Sequence, residues 1–551
     1  MTIDGARQLG RSAHVDTFCR DSLPPISTWP DFLFELPELQ YPPRLNCAVE
    51  LLDAVIDRLT PDRPCLLTPQ GDVYSYGRVR RTANQIANVL VGELGIVPGN
   101  RVLLRGPNNP WLVACWLAVL RAGAVAVTTM PQLRRGELTT VAQIARVDLA
   151  LCDARFVDDL HAADLGAAPV LTYGGLDDAD LTCRAARASD EFDAVDTSAD
   201  DVALLAFTSG TTGRPKATMH FHRDVLAIAD TFGRYVVRPE PDDVFVGTPP
   251  LAFTFGLGGL VVFPLRVGAA TLLIEKATPD ELAEAIATHG ASICFTAPTG
   301  YRAMIASGSV TRLRTLRRAV SAGEHLPAAT WHAFRNATGI KLIDGIGSTE
   351  MLHVFVSAAD DDIRPGATGR AVPGYRATVL DDNGAPVAAG TPGRLAVKGP
   401  TGCRYLGDER QAVYVQNGWN LTGDTFIEDE HGYFHFQARN DDMIVSSGYN
   451  IAGPEVEEAL LAHDAVHECC VVGIPDIARG QVVTAFVVLA DGIDGDAALV
   501  GELQAFVKTR IAPYKYPRVV RFIPRLPRTA TGKVQRFVLR QPAQDAPCAL
   551  Q

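Results

Sequence analysis

Thr208-Ser209-Gly210-Thr211-Thr212-Gly213-Arg214-Pro215-Lys216 follows an apolar run, residues 202–207, and everything else in the chain is arranged around it. Two glycines open backbone conformations closed to other residues, four hydroxyls and the exposed N–H groups can donate to phosphate oxygens, and Lys216 adds a mobile cation. The stretch reads as a polyphosphate cradle; the bland alternative is a small surface turn. It is not the G-x-x-x-x-G-K-[ST] loop, because Pro215 stands before the lysine and forbids a helix running straight through. A different nucleotide fold is implied.

Outward from this loop the chain alternates between helical and strand periodicity. The pattern predicts a helix over 82–94, a strand at 102–104, a helix over 110–120 and strands at 124–128 and 149–152, which together mean parallel α/β layers. Asn108-Asn109-Pro110 places a turn and a proline at a helix start, and Trp111, Cys115 and Ala118 repeat at helical spacing as a core stripe. Residues 176–200, rich in Asp and Ala, read as a connecting excursion. The first fifty residues, with Pro24-Pro25, Pro30, Pro37 and Pro42-Pro43 among Trp29, Phe32 and Phe34, read as a wrapping arm with little regular structure. After Asp441 the plan changes to a helix over 454–463, strands at 469–473 and 484–489, a helix over 499–510 and a strand at 518–523. The expected organisation is a large α/β domain, 1–440, and a small, mobile α+β domain, 441–551.

Composition narrows the function. A chain of 551 residues with 47% hydrophobic and 21% charged residues can bury more than one core, and its longest apolar stretch, near residues 251–265, is too short for a membrane span. The formal charge of −12, with no run of lysines and arginines, argues against a nucleic-acid surface and for a small-molecule enzyme. Eleven cysteines without a C-x-x-C pair give neither a disulfide framework nor a zinc site. With no apolar segment near Met1, the expectation is a cytoplasmic location.

Further motifs punctuate the chain. Ser321-Ala322-Gly323-Glu324 and Asp344-Gly345-Ile346-Gly347-Ser348-Thr349-Glu350 each follow an apolar run and end in an acid, as loops at the carboxyl ends of strands do; with the Thr208 loop they are expected to converge on one crevice. Phe253-Thr254-Phe255-Gly256-Leu257-Gly258-Gly259 reads either as a flat apolar slot or as a buried glycine-rich helix start. His220 and His222, spaced i, i+2 with no third ligand nearby, read as packing residues rather than a metal pair. The carboxylate of Asp424 is suited to a ribose diol, or else to an Asx turn. The basic stretch from Arg528 to Arg536, with Gly532 just before Lys533, is a loop free to swing or a solvated tail.

Taken in order, these motifs resemble the adenylate-forming superfamily of acyl- and aryl-CoA ligases, adenylation domains and luciferases, over most of the chain. Asp344-Gly345-Ile346-Gly347-Ser348-Thr349-Glu350-Met351-Leu352-His353 is similar to the benzoate and 2-aminobenzoate CoA ligase branch, and residues 14–25 resemble the opening of its 2-aminobenzoate members. The resemblance implies ATP, Mg²⁺ and coenzyme A acting on an aryl carboxylic acid, with a carrier protein as the alternative acceptor. It implies that Thr208, Ser209, Gly210, Thr211, Thr212, Gly213 and Lys216 hold the β- and γ-phosphates. Glu350, beside Thr349, would hold Mg²⁺, and Lys533 would bridge the carboxylate and the α-phosphate. Gly323, Glu324, Asp344 and Ile346 would line the adenine and its ribose side, while Asp424 would take the ribose hydroxyls with Arg439 beside it. Phe253, Thr254, Phe255, Gly258 and His353 would form the acid pocket. Asp441 would be the hinge about which a second pose brings Gly448 to the thiol channel. The family's usual tyrosine is Ile346 here, so aliphatic contact replaces ring stacking on one adenine face, and Ala438 stands where a glycine is usual.

Overall fold

The structure, a computed structural model, describes residues 9–208, 215–439, 442–446, 449–476, 479–511, 513–528 and 534–540. The chain divides into two compact units, one of Met1–Ala322, Thr330–Ala377 and Ala396–Leu421, the other of Gly323–Ala329, Thr378–Leu395 and Thr422–Gln551. The position read as a hinge, Asp441, falls inside the second unit and outside the described residues.

The first unit is built on two largely parallel sheets. In the six-stranded sheet the order is Val170–Tyr173, Leu149–Asp153, Arg101–Arg105, Val125–Thr129, Val202–Thr208 and Lys216–Phe221, with only the last pair antiparallel. The nine-stranded sheet runs Arg370–Ala371, Val354–Ser357, Leu342–Gly347, Arg318–Ala322, Ile293–Thr296, Val244–Gly247, Ala270–Leu272, Pro64–Leu67 and Val73–Ser75. Its interior pairs are parallel and its edges antiparallel. Helix Pro110–Arg121 shows why the sequence builds layers: all its residues but Trp111 are buried, so the core stripe read through Trp111, Cys115 and Ala118 is corrected to a helix enclosed on nearly every side with Trp111 as its half-buried residue. Pro110 sits at its first position and Asn109 caps it by accepting the Leu112 N–H at 2.9 Å.

Two local readings are corrected. The excursion over 176–200 contains a helix, Leu181–Arg187, capped by Asp180 and anchored by Leu181 and Ala185; one buried i, i+4 pair is too short a pattern to read. The helix predicted over 82–94 starts at Tyr76, where Ser75 caps it, and widens into a π-turn at Val89–Glu93. The N-terminal arm is irregular as expected, with one four-residue α-helix, Phe18–Asp21, before Cys47. Trp29 and Phe32 of that arm lie over the guanidinium of Arg404, 5.7 and 4.8 Å from its Cζ to the ring centroids, with Phe221 on it at 3.9 Å. Arg404 is wholly buried and pairs with the equally buried Asp224.

In the second unit, strands Tyr449–Ile451, Ile444–Ser446, Gly480–Leu489, Val466–Asp476 and Val519–Phe522 form one sheet. Helices Gly453–Leu461 and Ala497–Arg510 close it with Val456, Leu460, Leu503 and Val507 over Ile444, Ile451, Val471, Val483 and Val487. The two helices and three strands read from the pattern are present, the strands read at 469–473 and 484–489 being longer because the ladder continues past their apolar cores and the one read at 518–523 shorter; strands Ile444–Ser446 and Tyr449–Ile451 were not anticipated.

Candidate active site

Thr208 faces Lys216 across an antiparallel ladder, which sets the two flanks of the phosphate loop side by side. Ser209, Gly210, Thr211, Thr212 and Gly213 lie outside the described residues. Lys216 Nζ donates to Tyr405 Oη at 2.9 Å, and Tyr405 Oη donates to Glu350 Oε1 at 2.5 Å. The lysine and the carboxylate are themselves 3.9 Å apart. Tyr405 is fixed from behind: Thr218 bridges to it, Met219 N–H and Leu406 N–H bond across the two chains, and its own N–H donates to Gln411 Oε1 at 2.9 Å. Tyr414 packs edge-on against Tyr405, and its hydroxyl lies 3.2 Å from Ser348 Oγ.

Glu350 lies on the loop that joins strands Leu342–Gly347 and Val354–Ser357, where Gly347 pairs with Val354. The turn is tight: Met351 and Leu352 N–H donate to the Ser348 and Thr349 carbonyls at 3.2 Å, and Thr401 Oγ1 donates to the Met351 carbonyl at 2.7 Å. A Cβ at Gly347 would stand 2.6 Å from the His353 carbonyl oxygen, so only glycine fits. Leu352 has φ +66°, a left-handed conformation that costs a side chain about 1–2 kcal/mol. It turns the chain so that Glu350 meets Tyr405 and Lys216 while His353 enters an aromatic cluster. The Thr349 carbonyl lies 2.8 Å from His220 Nε2, so one of the two histidines read as packing residues also pins this turn; His222, equally buried, sits with Nδ1 3.1 Å from Cys47 Sγ.

The His353 ring is surrounded by Phe263 at 4.7 Å, Phe232 at 5.2 Å and Phe255 at 5.6 Å, with Phe295 at 5.4 Å from Phe255. A Cβ at Gly258 would meet His353 Nε2 at 2.7 Å, so the glycine lets the helix backbone lie against the imidazole. The 253–259 segment is a helix start, Thr254–Leu257 running into a wider turn, and it presents Phe255 and Gly258 to His353. Phe253 and Thr254 stand half-buried at that start, outside the ring cluster. Phe232, Phe263, Phe295, Tyr405 and Tyr414 were not picked out from sequence. Phe263, eight residues after Phe255 on a helical pattern, carried a signal; Tyr405, in an irregular stretch, carried none.

Ser321 and Asp344 are register partners at the carboxyl ends of adjacent parallel strands, with Ile346 half-buried two residues on. Asp344 Oδ1 is out of solvent with no hydrogen-bond partner among the described residues, and burial pushes its carboxyl up to about 8. In the second unit, Gly323 has φ +92°, and Glu324 lies 3.8 Å from Arg528, which also holds Glu468 at 2.8 Å. Asp424 faces Arg439 across an antiparallel pair, 3.6 Å from its guanidinium, and the Asp424 N–H bonds Thr422 Oγ1 at 3.3 Å. Asp441, Gly448 and Lys533 lie outside the described residues.

These burials predict a pH profile. Burial lowers His220, His222 and His353 each to about 3. Between about 3 and 6.5 the unfolded chain therefore holds more protons at these positions than the folded one, and stability rises with pH. Asp344 is the opposite: raised to about 8, it stays protonated in the fold while the unfolded carboxyl ionises near 4, so its contribution declines from about pH 4 to 8. Three histidines outweigh one carboxyl below pH 6.5, and above it only the carboxyl acts. Unfolding free energies from urea titrations should peak near pH 6.5 and fall by about 2 kcal/mol towards pH 8. In Asp344→Asn that alkaline fall should flatten, and an equal fall in the variant would assign it elsewhere.

No helix among the described residues is long and apolar enough to cross a membrane. The family model described as AMP-binding enzyme matches residues 55–405, and the AMP-binding enzyme C-terminal domain matches residues 455–533. The benzoate–CoA ligase of Thauera aromatica is 34% identical over 515 residues, 92% of this chain and 97% of its own. The crystal structure of the anthranilate CoA ligase AuaEII in complex with anthranoyl-AMP has a TM-score of 0.85 at 32% identity, covering 92% of this chain and 98% of that one. A benzoate CoA ligase from Burkholderia xenovorans LB400 has a TM-score of 0.83 at 30% identity, covering 90% and 100%.

Proposed function

Since the chain belongs to the AMP-binding enzyme family and is an AMP-forming acid–CoA ligase, we propose that it activates 2-aminobenzoate or benzoate through an aryl-adenylate and passes the acyl group to coenzyme A. The observation that supports an aryl acid is the uncharged aromatic wall made by Phe255, Phe263 and a buried His353, the two phenyl rings inclined at 37° and 66° to the imidazole, with Gly258 against it. Burial keeps His353 neutral at working pH, so the wall offers π-faces without a competing cation.

In the proposed reaction the carboxylate attacks the α-phosphate, pyrophosphate leaves, and a thiol then cleaves the adenylate. The chain's part is charge placement. Lys216 and the Thr208 to Gly213 loop take the β- and γ-phosphates, Lys533 the carboxylate and α-phosphate, Asp424 the ribose hydroxyls beside Arg439, and Gly323, Glu324, Asp344 and Ile346 the adenine side. Magnesium enters with ATP as substrate. Among the described residues no three His, Cys, Asp or Glu side chains gather into a metal cage. One carboxylate from Glu350, with phosphate oxygens for the rest, fits the way magnesium is bound. Transfer to the thiol then uses the 441–551 segment in a second pose, with Asp441 as pivot and Gly448 beside the thiol.

Thr254, at the helix start beside Phe255, would offer its hydroxyl to an ortho substituent. One such hydrogen bond is worth about 0.5–1.5 kcal/mol, which limits the preference for 2-aminobenzoate over benzoate to about tenfold. Pyrophosphate release should therefore be measured over benzoate, 2-aminobenzoate, hydroxybenzoates and medium-chain fatty acids with free coenzyme A. Thr254→Ala should bring the two kcat/KM values together. An unchanged ratio would remove Thr254 from specificity, a preference for aliphatic acids would overturn the aryl pocket, and adenylate without thioester would point to a carrier protein.

A further inference from the structure

Between the lysine that ends the phosphate loop and the carboxylate of Glu350 stands one uncharged oxygen, that of Tyr405. Its proton goes to Glu350 at 2.5 Å and its lone pair takes a proton of Lys216 at 2.9 Å, while the two charges remain 3.9 Å apart. The three groups match in sequence: a carboxylate accepts, an ammonium donates, and a phenol does both.

The tyrosine is also the rigid member of the three. Its ring is wholly buried and its backbone is tied to residues 217–219 and to Gln411, whose amide in turn donates to the Thr28 carbonyl of the N-terminal arm at 2.9 Å. Lys216 has a flexible four-carbon stem and keeps further ammonium protons for another acceptor. Without the hydroxyl, the shortest way to satisfy Lys216 and Glu350 is each other.

We propose that Tyr405 is a positioning residue that keeps Lys216 and Glu350 from closing into a direct hydrogen bond, holding both poised for a nucleotide polyphosphate. The inference rests on the reading of Lys216 as a phosphate ligand. It assigns Tyr405 to nucleotide affinity and not to the choice of acid.

The test is direct binding of ATP, measured by calorimetry without acid or coenzyme A, alongside steady-state kinetics. Tyr405→Phe keeps the ring and removes only the hydroxyl. We expect its ATP Kd and KM to rise about three- to tenfold, the scale of one net hydrogen bond. The KM for the acid should stay within about twofold, and so should kcat at saturating ATP; a merely structural role would instead lower the thermal midpoint and leave ATP affinity unchanged. In a Glu350→Gln background, where no carboxylate is left to collapse onto, adding Tyr405→Phe should change the metal-free ATP Kd by less than about twofold. Lys216→Ala separates the two levels. If it leaves ATP affinity intact, the phosphate reading itself fails; if it weakens binding while Tyr405→Phe does not, only the role of Tyr405 fails.

Discussion

Lys533→Ala is expected to stop adenylate formation while thioester formation from supplied aryl-adenylate continues. In the proposed cycle this lysine meets the carboxylate and the α-phosphate only while negative charge is redistributing between them, so its loss raises one barrier and not the other. A missing transition-state cation costs about 3–4 kcal/mol or more, which is on the order of several hundredfold in rate. ATP–pyrophosphate exchange should fall by that factor, and thioester release from synthetic aryl-adenylate should fall less than about threefold. Equal loss in both assays would mean that Lys533 serves general folding or the thiol step.

The second large effect is on stability. Arg404→Ala would leave the Asp224 carboxylate buried, with Arg223 at 4.0 Å and the Phe221 N–H at 2.9 Å as remaining support. Removing one partner of a buried pair costs about 3–5 kcal/mol, because the other charge stays out of water. Arg404 also carries Phe221, Phe32 and Trp29 on its guanidinium, so the arm should loosen with it. The variant should lose that much in urea unfolding, and limited proteolysis should open first near residues 24–34. Replacing Asp224 as well by leucine should recover most of the loss. A double variant no more stable than Arg404→Ala would mean that packing, not the stranded charge, sets the cost.

The alternating core was legible because helix Pro110–Arg121 and the strands beside it bury residues contiguous in sequence, so periodicity states their environment. The Ser348–Glu350 turn was legible for another reason, glycine, hydroxyl and carboxylate at close spacing, whereas residues 209–213 of the phosphate loop lie outside the described residues. What stayed hidden was assembled across long separations. Tyr405 reaches Lys216 over 189 residues and Glu350 over 55, and its local sequence is that of any irregular segment. The aromatic wall was half-legible, since Phe255 and Gly258 are close in sequence while Phe232, Phe295 and His353 arrive from three other elements.

The left-handed Leu352 places Glu350 and His353, three residues apart, on opposite errands of one rigid turn. On the proposed reading, the residue that meets the incoming acid and the residue that meets the phosphate chemistry are therefore inherited together. A mutation that re-aims His353 through the backbone disturbs Glu350 with it, so such drift is closed to selection. On that reading new acids would be met by changes of side-chain volume at Phe255 and Phe263, which pack on the His353 ring, and at Phe295 behind Phe255, with the backbone of the turn left as it is. Diversification of substrates would then proceed by reshaping the walls, with the reactive end of the site held constant.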